Sequence, residues 1–258
     1  ADDSAAALLN KLNNPDEAEQ TRPTLLNALI DRHGTGRVLF RNSRQTVAGF
    51  PKRILQSYPL SGKESPDDWE KDPRYEWLIN LVRSLSGEKA LLICKKAKTA
   101  IALEKSLKTR AGIPASVFHE GMTIVERDRA AAYFADQDSS ARLLVCSEIG
   151  SEGRNFQFVH HLVLFDLPDN PDLLQQRIGR LDRIGQRHDI KIHVPYIEGS
   201  EHAVLFRWYN EGLRAFHSNS SAATRVADLL ADELPKIMAT KDHDAIEPFI
   251  ARSRALDE

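Results

Sequence analysis

Ala90-Leu91-Leu92-Ile93-Cys94 and Leu143-Leu144-Val145-Cys146 are two short, unbroken runs of apolar residues. Runs of this length and composition are typical of strands that are covered on both faces of a parallel sheet. Further strands are predicted at residues 115–118, 161–165 and 190–197, with helical patterns between them. Strands that alternate with helices imply right-handed crossovers, so the sequence predicts an α/β fold with a doubly wound parallel sheet.

The predicted helices between these strands have recognisable start and stop signals. Asp72 and Pro73 are typical of a helix cap and a first-turn proline, and Gly87 is expected to end that helix. Thr123 and Glu126 have the spacing of a capping box at the start of a later helix. These local signals predict where helices begin without relying on the apolar pattern.

Composition divides the chain into three parts. Residues 1–71 are predicted to be a flank and linker, because residues 60–71 combine turn formers with charges and no self-contained core is evident before them. Residues 72–199 contain the predicted alternation of strands and helices. Residues 200–258 are predicted to be a helical extension docked on the sheet, with a stripe typical of packing surfaces at Phe206, Tyr209, Leu213 and Phe216.

The bulk composition narrows the function classes. With 258 residues, 41% of them apolar, the chain can bury a full core, and its net charge of -2 confines any nucleic-acid contact to local basic patches. Cys94 and Cys146 lie in apolar runs without metal-ligand spacing, so we predict reduced thiols, a cytoplasmic protein and no metal site. No apolar run approaches the roughly 20 residues that cross a bilayer, and residues 1–3 lack the features of a signal peptide. A first residue other than methionine fits either a piece of a longer protein or methionine removal.

Residues 175–186, Gln-Gln-Arg-Ile-Gly-Arg-Leu-Asp-Arg-Ile-Gly-Gln, are the most informative about function. The arginines at 177, 180 and 183 are three apart, which predicts one stripe on a helix. Planar guanidinium groups bind phosphate oxygens with paired hydrogen bonds, and a solvated basic helix face is the plain alternative. A glycine inside a helix costs roughly 1 kcal/mol relative to alanine. Gly179 therefore favours a site where something approaches the backbone.

A second informative segment follows the predicted strand at residues 143–146. Residues 147–156 read Ser-Glu-Ile-Gly-Ser-Glu-Gly-Arg-Asn-Phe, and the glycines would let backbone amides approach an anion. In open α/β sheets, ligands bind outside the carboxyl ends of the strands. This loop and the segment after Phe165 are both expected to emerge there, so we predict a ligand site at that edge.

Taken together, residues 147–156 and 175–186 resemble motifs V and VI in the second RecA-like lobe of the superfamily 2 helicases and translocases. The ending Arg-Ile-Gly-Gln, at residues 183–186, is similar to the Swi2/Snf2 branch. In the DEAD-box branch, a histidine usually stands at the position of Gln176.

Other segments extend the resemblance to bacterial Swi2/Snf2 proteins that act with RNA polymerase. These segments are residues 118–129, including His-Glu-Gly-Met at 119–122, residues 37–44 and residues 49–51. The similarity covers most of residues 30–215 and fades at both ends. It implies that residues 72–199 are a RecA-like lobe and that residues 1–71 come from the region specific to the Swi2/Snf2 branch.

The resemblance implies an ATP-driven translocase on double-stranded nucleic acid that associates with RNA polymerase and helps to recycle it, in the cytoplasm at the nucleoid. Double-stranded DNA is the expected substrate, with RNA left open. Arg180 and Arg183 match the arginine fingers, the catalytic residues that also contact the nucleotide. Positive charge near the γ-phosphate oxygens is what phosphoryl transfer needs. The other implied positions are Gln176, Glu152 and Gly153 for the nucleotide pocket, and Ser147, Asn155, Lys95, Lys96, Arg127 and Arg129 for the nucleic-acid track.

Some of these residues have plain structural alternatives, which the sequence leaves open. They are a solvated turn for Lys95, Lys96 and Lys98, a surface pair with Glu126 or Asp128 for Arg127, a loop cap for Asn155, and a structural role for His160 and His161.

Two motifs that ATP hydrolysis requires do not occur in the 258 residues. There is no Gly-x-x-x-x-Gly-Lys-Ser/Thr loop for phosphates and Mg²⁺, and no acidic pair inside the sheet pattern. We therefore expect this lobe to work with a first RecA-like lobe that mainly holds ATP and Mg²⁺, and to be inactive alone. The alternatives are a non-catalytic RecA-like module that docks on RNA polymerase or nucleic acid, and an RNA helicase of the DEAD-box kind.

Overall fold

The computed structural model describes residues 50–65, 68–69, 71–148, 156–218, 222–240 and 243–257. The chain divides into two compact units, Ala1–Thr46 and Val47–Glu258, and the described residues all belong to the second unit. The resemblance at residues 37–44 therefore lies outside the described residues. The same is true of Glu152, Gly153 and Asn155 in the predicted motif V loop.

Six parallel strands form one sheet in the described part of the chain. They are β1 (Arg53–Leu60), β2 (Ala90–Cys94), β3 (Ala115–Phe118), β4 (Leu143–Ser147), β5 (His161–Leu164) and β6 (Ile190–Ile197). Their order across the sheet is β1-β6-β5-β2-β4-β3, and every neighbouring pair is parallel. The predicted α/β fold with a doubly wound parallel sheet is confirmed.

Strand β1 lies inside the segment that the sequence assigned to a flank. It pairs with β6 over its whole length, from Arg53 opposite Ile190 to Leu60 opposite Ile197. It is the edge strand of the sheet as far as the described residues show, and an edge position tolerates Pro59, which lacks a backbone donor. Because β1 contains polar residues and is only partly buried, it has no unbroken apolar run that would predict a strand. The sheet therefore begins before residue 72, and the position of the domain boundary stays a prediction.

Both faces of the sheet are covered, as the unbroken apolar runs predict. All five residues of β2 are fully buried. Leu91 and Ile93 enter one apolar cluster, and Ala90, Leu92 and Cys94 enter another on the opposite face. The alternation follows from the two-residue period of a strand.

Four helices connect the strands, at α1 (Pro73–Ser84), α2 (Ala97–Thr109), α3 (Ile124–Ala135) and α4 (Pro171–Ile178). The predicted cap of α1 is confirmed, because the Asp72 carboxylate accepts from the Arg74 backbone N–H at 3.0 Å. The capping box of α3 is also confirmed. Thr123 Oγ1 accepts from the Glu126 backbone at 3.3 Å, and the Glu126 carboxylate accepts from the Thr123 backbone at 2.8 Å.

The C-terminal part is helical, as predicted, with α5 (Glu201–Arg207), a π-helical turn at Trp208–Gly212, α6 (Ala223–Leu229), α7 (Leu234–Thr240) and α8 (His243–Asp257). Tyr209, Leu213 and Phe216 are fully buried and share one apolar cluster with the sheet. The aromatic stripe is therefore a packing surface. Among the described helices, none has the length and apolar character needed to span a membrane.

Candidate functional site

Helix α4 ends before the second arginine of the predicted stripe. Its last residue is Ile178, and Gly179 caps it in a right-handed conformation with φ of -61°. The prediction that the arginines at 177, 180 and 183 share one helix face is therefore wrong, because only Arg177 is helical. A Cβ at Gly179 would lie 3.0 Å from the Gln175 carbonyl oxygen, so the atom close to this glycine belongs to its own helix. We call residues 177–183 the arginine turn.

Arg177 is held by two carboxylates that follow β4 and β5, the strands on either side of β2. Its guanidinium is 1% exposed and donates from Nε to Glu148 Oε1 at 2.9 Å, while NH1 donates to the Asp166 carbonyl at 2.6 Å and to Asp166 Oδ1 at 3.2 Å. Glu148 directly follows β4, and Asp166 lies just beyond β5. Burial works against the charge of Arg177, but the hydrogen bonds to Glu148 and the charge of Asp166 outweigh it and raise the pKa of Arg177. Arg177 is a structural cation.

Arg180 and Arg183 are in a different electrostatic situation. Both side chains are partly buried, and neither forms a salt bridge with any residue that the structure describes. Arg180 Nε is buried and has no hydrogen-bond partner there, whereas Arg183 Nε donates to the Gly179 carbonyl at 3.2 Å. Burial raises the pKa of the Cys146 thiol well above its usual range, and the charge of Arg180 opposes that rise. Arg180 therefore lies near the carboxyl end of β4.

A buried salt bridge ties the arginine turn to the edge strand. Arg53 of β1 donates from Nε to Asp182 Oδ2 at 2.7 Å, and the two side chains are 5% and 3% exposed. Arg53 also donates to Gln175 Oε1 at 2.9 Å, and Gln175 Nε2 donates to the Ala215 carbonyl at 2.6 Å. The turn is thereby connected to β1 and to the C-terminal helices. The local sequence pattern does not predict this link, because it does not predict β1.

Ser147, predicted to touch a phosphate, has its hydroxyl engaged within the protein. It is 1% exposed and donates to Glu120 Oε2 at 2.6 Å. This hydrogen bond lowers the pKa of Glu120. A phosphate contact at Ser147 stays a prediction, and it would require this hydrogen bond to break.

The four predicted backbone-contacting cations fall into two groups. Lys95 forms an exposed salt bridge with Asp169, and Arg127 donates from NH2 to the Glu120 carbonyl at 3.0 Å. Lys96 and Arg129 are exposed and form no salt bridge with the described residues. Lys95 and Lys96 line a cleft of about 300 Å³ at the carboxyl ends of β2 and β5, together with Arg74, Thr99, Phe165 and Asp166. Gln176, predicted to order the nucleotide pocket, is exposed on α4.

Two family models match consecutive parts of the chain. Residues 73–185 match the helicase conserved C-terminal domain, and residues 189–258 match the C-terminal region of the RNA polymerase recycling family. RNA polymerase-associated protein RapA of Photobacterium profundum is 47% identical over 281 aligned residues, which cover 93% of this chain and 29% of that protein. The RapA of Stutzerimonas stutzeri is 50% identical over 259 residues, which cover 90% of this chain and 27% of that protein.

The chain belongs to the RapA family. This is an RNA polymerase-associated family of the Swi2/Snf2 helicase type, as the resemblance in the sequence implies. The chain spans about 29% of the length of the Photobacterium profundum RapA protein. The helicase match ends at residue 185 and therefore includes the arginine turn, whereas β1 and β6 lie outside it.

Solved structures agree on the fold. The C-terminal part of the Fun30 ATPase domain aligns with a TM-score of 0.52 and 17% identity, over 70% of this chain and 58% of that one. The Sulfolobus solfataricus SWI2/SNF2 ATPase core in complex with dsDNA aligns with a TM-score of 0.50 and 16% identity, over 91% of this chain and 45% of that one. At these identities the similarity shows the fold alone. The RapA-family chain has the fold of a RecA-like helicase C-terminal lobe.

Proposed function

We propose that this chain is the second motor lobe of an ATP-driven translocase on double-stranded nucleic acid that acts with RNA polymerase. Arg180 and Arg183 supply positive charge to the γ-phosphate of an ATP held mainly by a first RecA-like lobe. The observation that carries this proposal is the contrast inside the arginine turn. Arg177 is neutralised by Glu148 and Asp166, whereas Arg180 and Arg183 form no salt bridge in the part of the chain that is described.

Uncompensated, partly buried guanidinium groups suit the needs of phosphoryl transfer. The transferred group carries its charge on the γ-phosphate oxygens, and catalysis comes mainly from positioning and from positive charge placed nearby. A cation that is already fixed and partly desolvated contributes more than one in water. The hydrogen bond from Arg183 to Gly179 and the Arg53–Asp182 salt bridge restrict the turn that carries both arginines.

The described residues fit the role of supplying charge to ATP rather than that of holding Mg²⁺. Mg²⁺ prefers carboxylate and water oxygens. The carboxylates of Glu148 and Asp166, at the ends of β4 and β5, are both engaged by Arg177. We therefore assign Mg²⁺ to the first lobe. Gln176, Glu152 and Gly153 are proposed to complete the nucleotide pocket from this side.

Lys96 and Arg129 are the best-supported candidates for nucleic-acid contacts. Both are exposed and without a described salt bridge, so their charges are available to phosphates. Lys95, Arg127, Ser147 and Asn155 remain proposed parts of the track. The matched relatives are named for their association with RNA polymerase, and residues 189–258 match the C-terminal region of a polymerase recycling family. We therefore propose that β6 and the C-terminal helices take part in that association, at the bacterial nucleoid.

A triplex-displacement assay tests this function. A protein that joins this lobe to its first RecA-like lobe should remove a third strand from duplex DNA in the presence of ATP and leave the duplex intact. Strand separation of RNA duplexes would instead indicate a helicase of the DEAD-box kind. Binding to polymerase without any ATP-dependent displacement would indicate a non-catalytic module. As a control, the 258-residue chain alone should show no DNA-stimulated ATP hydrolysis, since the phosphate loop is not part of it.

A further inference from the structure

Three potential metal ligands meet at the amino ends of the strands. Glu88 precedes β2, and His160 and His161 lie at the start of β5. One ligand atom from each of these residues lies within 4.8 Å of the other two. His161 Nε2 is 2.7 Å from Glu88 Oε2, and His160 Nε2 is 3.6 Å from the same oxygen. We call these three residues the histidine cluster.

A chain of hydrogen bonds orients the most buried member of the cluster. His161 Nδ1 is 2.9 Å from His193 Nε2, and His193 Nδ1 is 3.0 Å from the Tyr58 hydroxyl. Tyr58 in turn donates to Gln56 Oε1 at 3.2 Å. These hydrogen bonds link three adjacent strands, β5, β6 and β1. Histidines that bind metals commonly use their second ring nitrogen in this way, which fixes the tautomer.

One of the two possible directions of these hydrogen bonds leaves a lone pair of His161 Nε2 pointing at Glu88. When Tyr58 donates to Gln56, it accepts from His193 Nδ1, and His193 Nε2 then accepts from His161 Nδ1. His161 Nε2 is left as an acceptor facing a carboxylate, and two acceptors at 2.7 Å repel each other unless a cation lies between them. Turning the Gln56 amide over reverses the chain and returns a proton to His161 Nε2. The two directions therefore correspond to a metal-bound and a metal-free arrangement.

Ligand type and spacing favour a zinc-like ion. Two imidazoles and a carboxylate are typical of zinc sites with three protein ligands. Zn²⁺ bond lengths of about 2.0–2.1 Å put tetrahedral ligand atoms about 3.3 Å apart. The His160–Glu88 separation of 3.6 Å is close to that value. The side chains of Glu88 and His160 are 49% and 14% exposed and can rotate to correct the other separations, while His161, at 2%, is the fixed ligand.

Besides His193, a positive charge and another imidazole lie near the cluster. Burial lowers the pKa of both cluster histidines, and the hydrogen bond with His161 lowers the pKa of Glu88. The charge of nearby Lys191 adds to each of these shifts, so it also repels a dication. The His188 ring lies 4.8 Å from the His160 ring, centroid to centroid. His188 or a water molecule would complete a tetrahedral site.

We propose that Glu88, His160 and His161 bind Zn²⁺ at the end of the sheet opposite to the carboxylates that hold Arg177. The ion would join the segment that leads into β2 to the start of β5, and through His188 to the segment that leads into β6. A metal that binds only the folded state stabilises it. This site is independent of the motor function proposed above, and it differs from the sequence-based expectation of no metal, which stays a prediction.

Zinc titration of the 258-residue chain, stripped with a chelator, tests the site. Calorimetry should show one saturable Zn²⁺ site, and zinc should raise the melting temperature. His160→Ala and Glu88→Gln should each weaken binding by at least about 10-fold, the lower limit known for the loss of an outer-shell partner. Both residues are partly exposed, so neither change opens the core.

The matched control is His202→Ala. His202 also faces a carboxylate, with Nδ1 at 2.8 Å from Glu64 Oε1, but it lies outside the cluster. This variant should bind Zn²⁺ like the wild type, and Lys191→Ala should bind it more tightly because a like charge is removed. The proposal is overturned if the wild type shows no saturable site. It is equally overturned if His160→Ala or Glu88→Gln keeps wild-type affinity, or if His202→Ala loses as much affinity as they do.

Discussion

The arginine turn and the histidine cluster are both polar, partly buried groups at the margins of one sheet, but their charges are balanced differently. In the arginine turn, Arg177 has two carboxylate partners, and the described structure supplies none for Arg180 and Arg183. In the histidine cluster, two imidazoles converge on the single carboxylate of Glu88, with His161 Nε2 at 2.7 Å and His160 Nε2 at 3.6 Å from Oε2. The first region has surplus positive charge and suits an anion. The second brings together three potential metal ligands and suits a cation.

The comparison also shows that proximity in sequence does not set function. Arg177 and Arg180 are three residues apart, yet one is a structural cation and the other has a buried Nε without a hydrogen-bond partner among the described residues. The difference arises because the carboxylates that follow β4 and β5, Glu148 and Asp166, both pair with Arg177. The candidate site is therefore identified by arginines that lack a described carboxylate partner, rather than by the number of arginines.

The largest expected effect is on stability, from Arg177→Ala. Removing this cation leaves the carboxylates of Glu148 and Asp166 close together without their partner, which should cost about 3 kcal/mol of unfolding free energy. Arg180→Ala should change the unfolding free energy by less than about 1 kcal/mol, because no salt bridge is lost. Urea denaturation of the 258-residue chain measures both variants. Equal losses would show that the two arginines do not differ as described.

A smaller effect is expected on duplex binding from the double variant Lys96→Ala and Arg129→Ala. Each lost phosphate contact should reduce the slope of log K against log salt by roughly 0.9. Affinities of the two-lobe protein for duplex DNA at several salt concentrations give that slope. Lys108→Ala is the control, because Lys108 already pairs with Glu104 on α2. An unchanged slope in the double variant would show that neither residue contacts the phosphates of the duplex.

The parts of the fold that the sequence predicted are those with local causes. The unbroken apolar run of β2 and the capping box at Thr123 depend on neighbouring residues, and both were confirmed. Strand β1 was missed because an edge strand is stabilised by pairing with β6, which is 137 residues away at Arg53 and Ile190. Pairing between residues so far apart in the sequence produces no local sequence pattern.

The candidate site was less predictable for the same reason. Gly179 was interpreted as a place of close ligand approach, whereas it caps α4 and lies against the carbonyl of Gln175. The arginine motif alone does not indicate that Glu148 and Asp166 are partners of Arg177. Their positions after two predicted strands do carry a signal, because the carboxyl ends of all strands in a parallel sheet lie at the same edge. The roles of Arg180 and Arg183 depend on a second lobe and stay predictions.

The most direct test of the account is steady-state ATP hydrolysis by a two-lobe protein on saturating duplex DNA. Arg180→Ala and Arg183→Ala should each lower kcat by roughly 10²-fold or more, the scale of losing one fixed charge in a transition state, and KM should change less. Arg187→Ala, an exposed arginine just after the turn, is the matched control and should keep wild-type turnover. Wild-type kcat in the Arg180 and Arg183 variants would contradict the proposal that these guanidinium groups act on ATP.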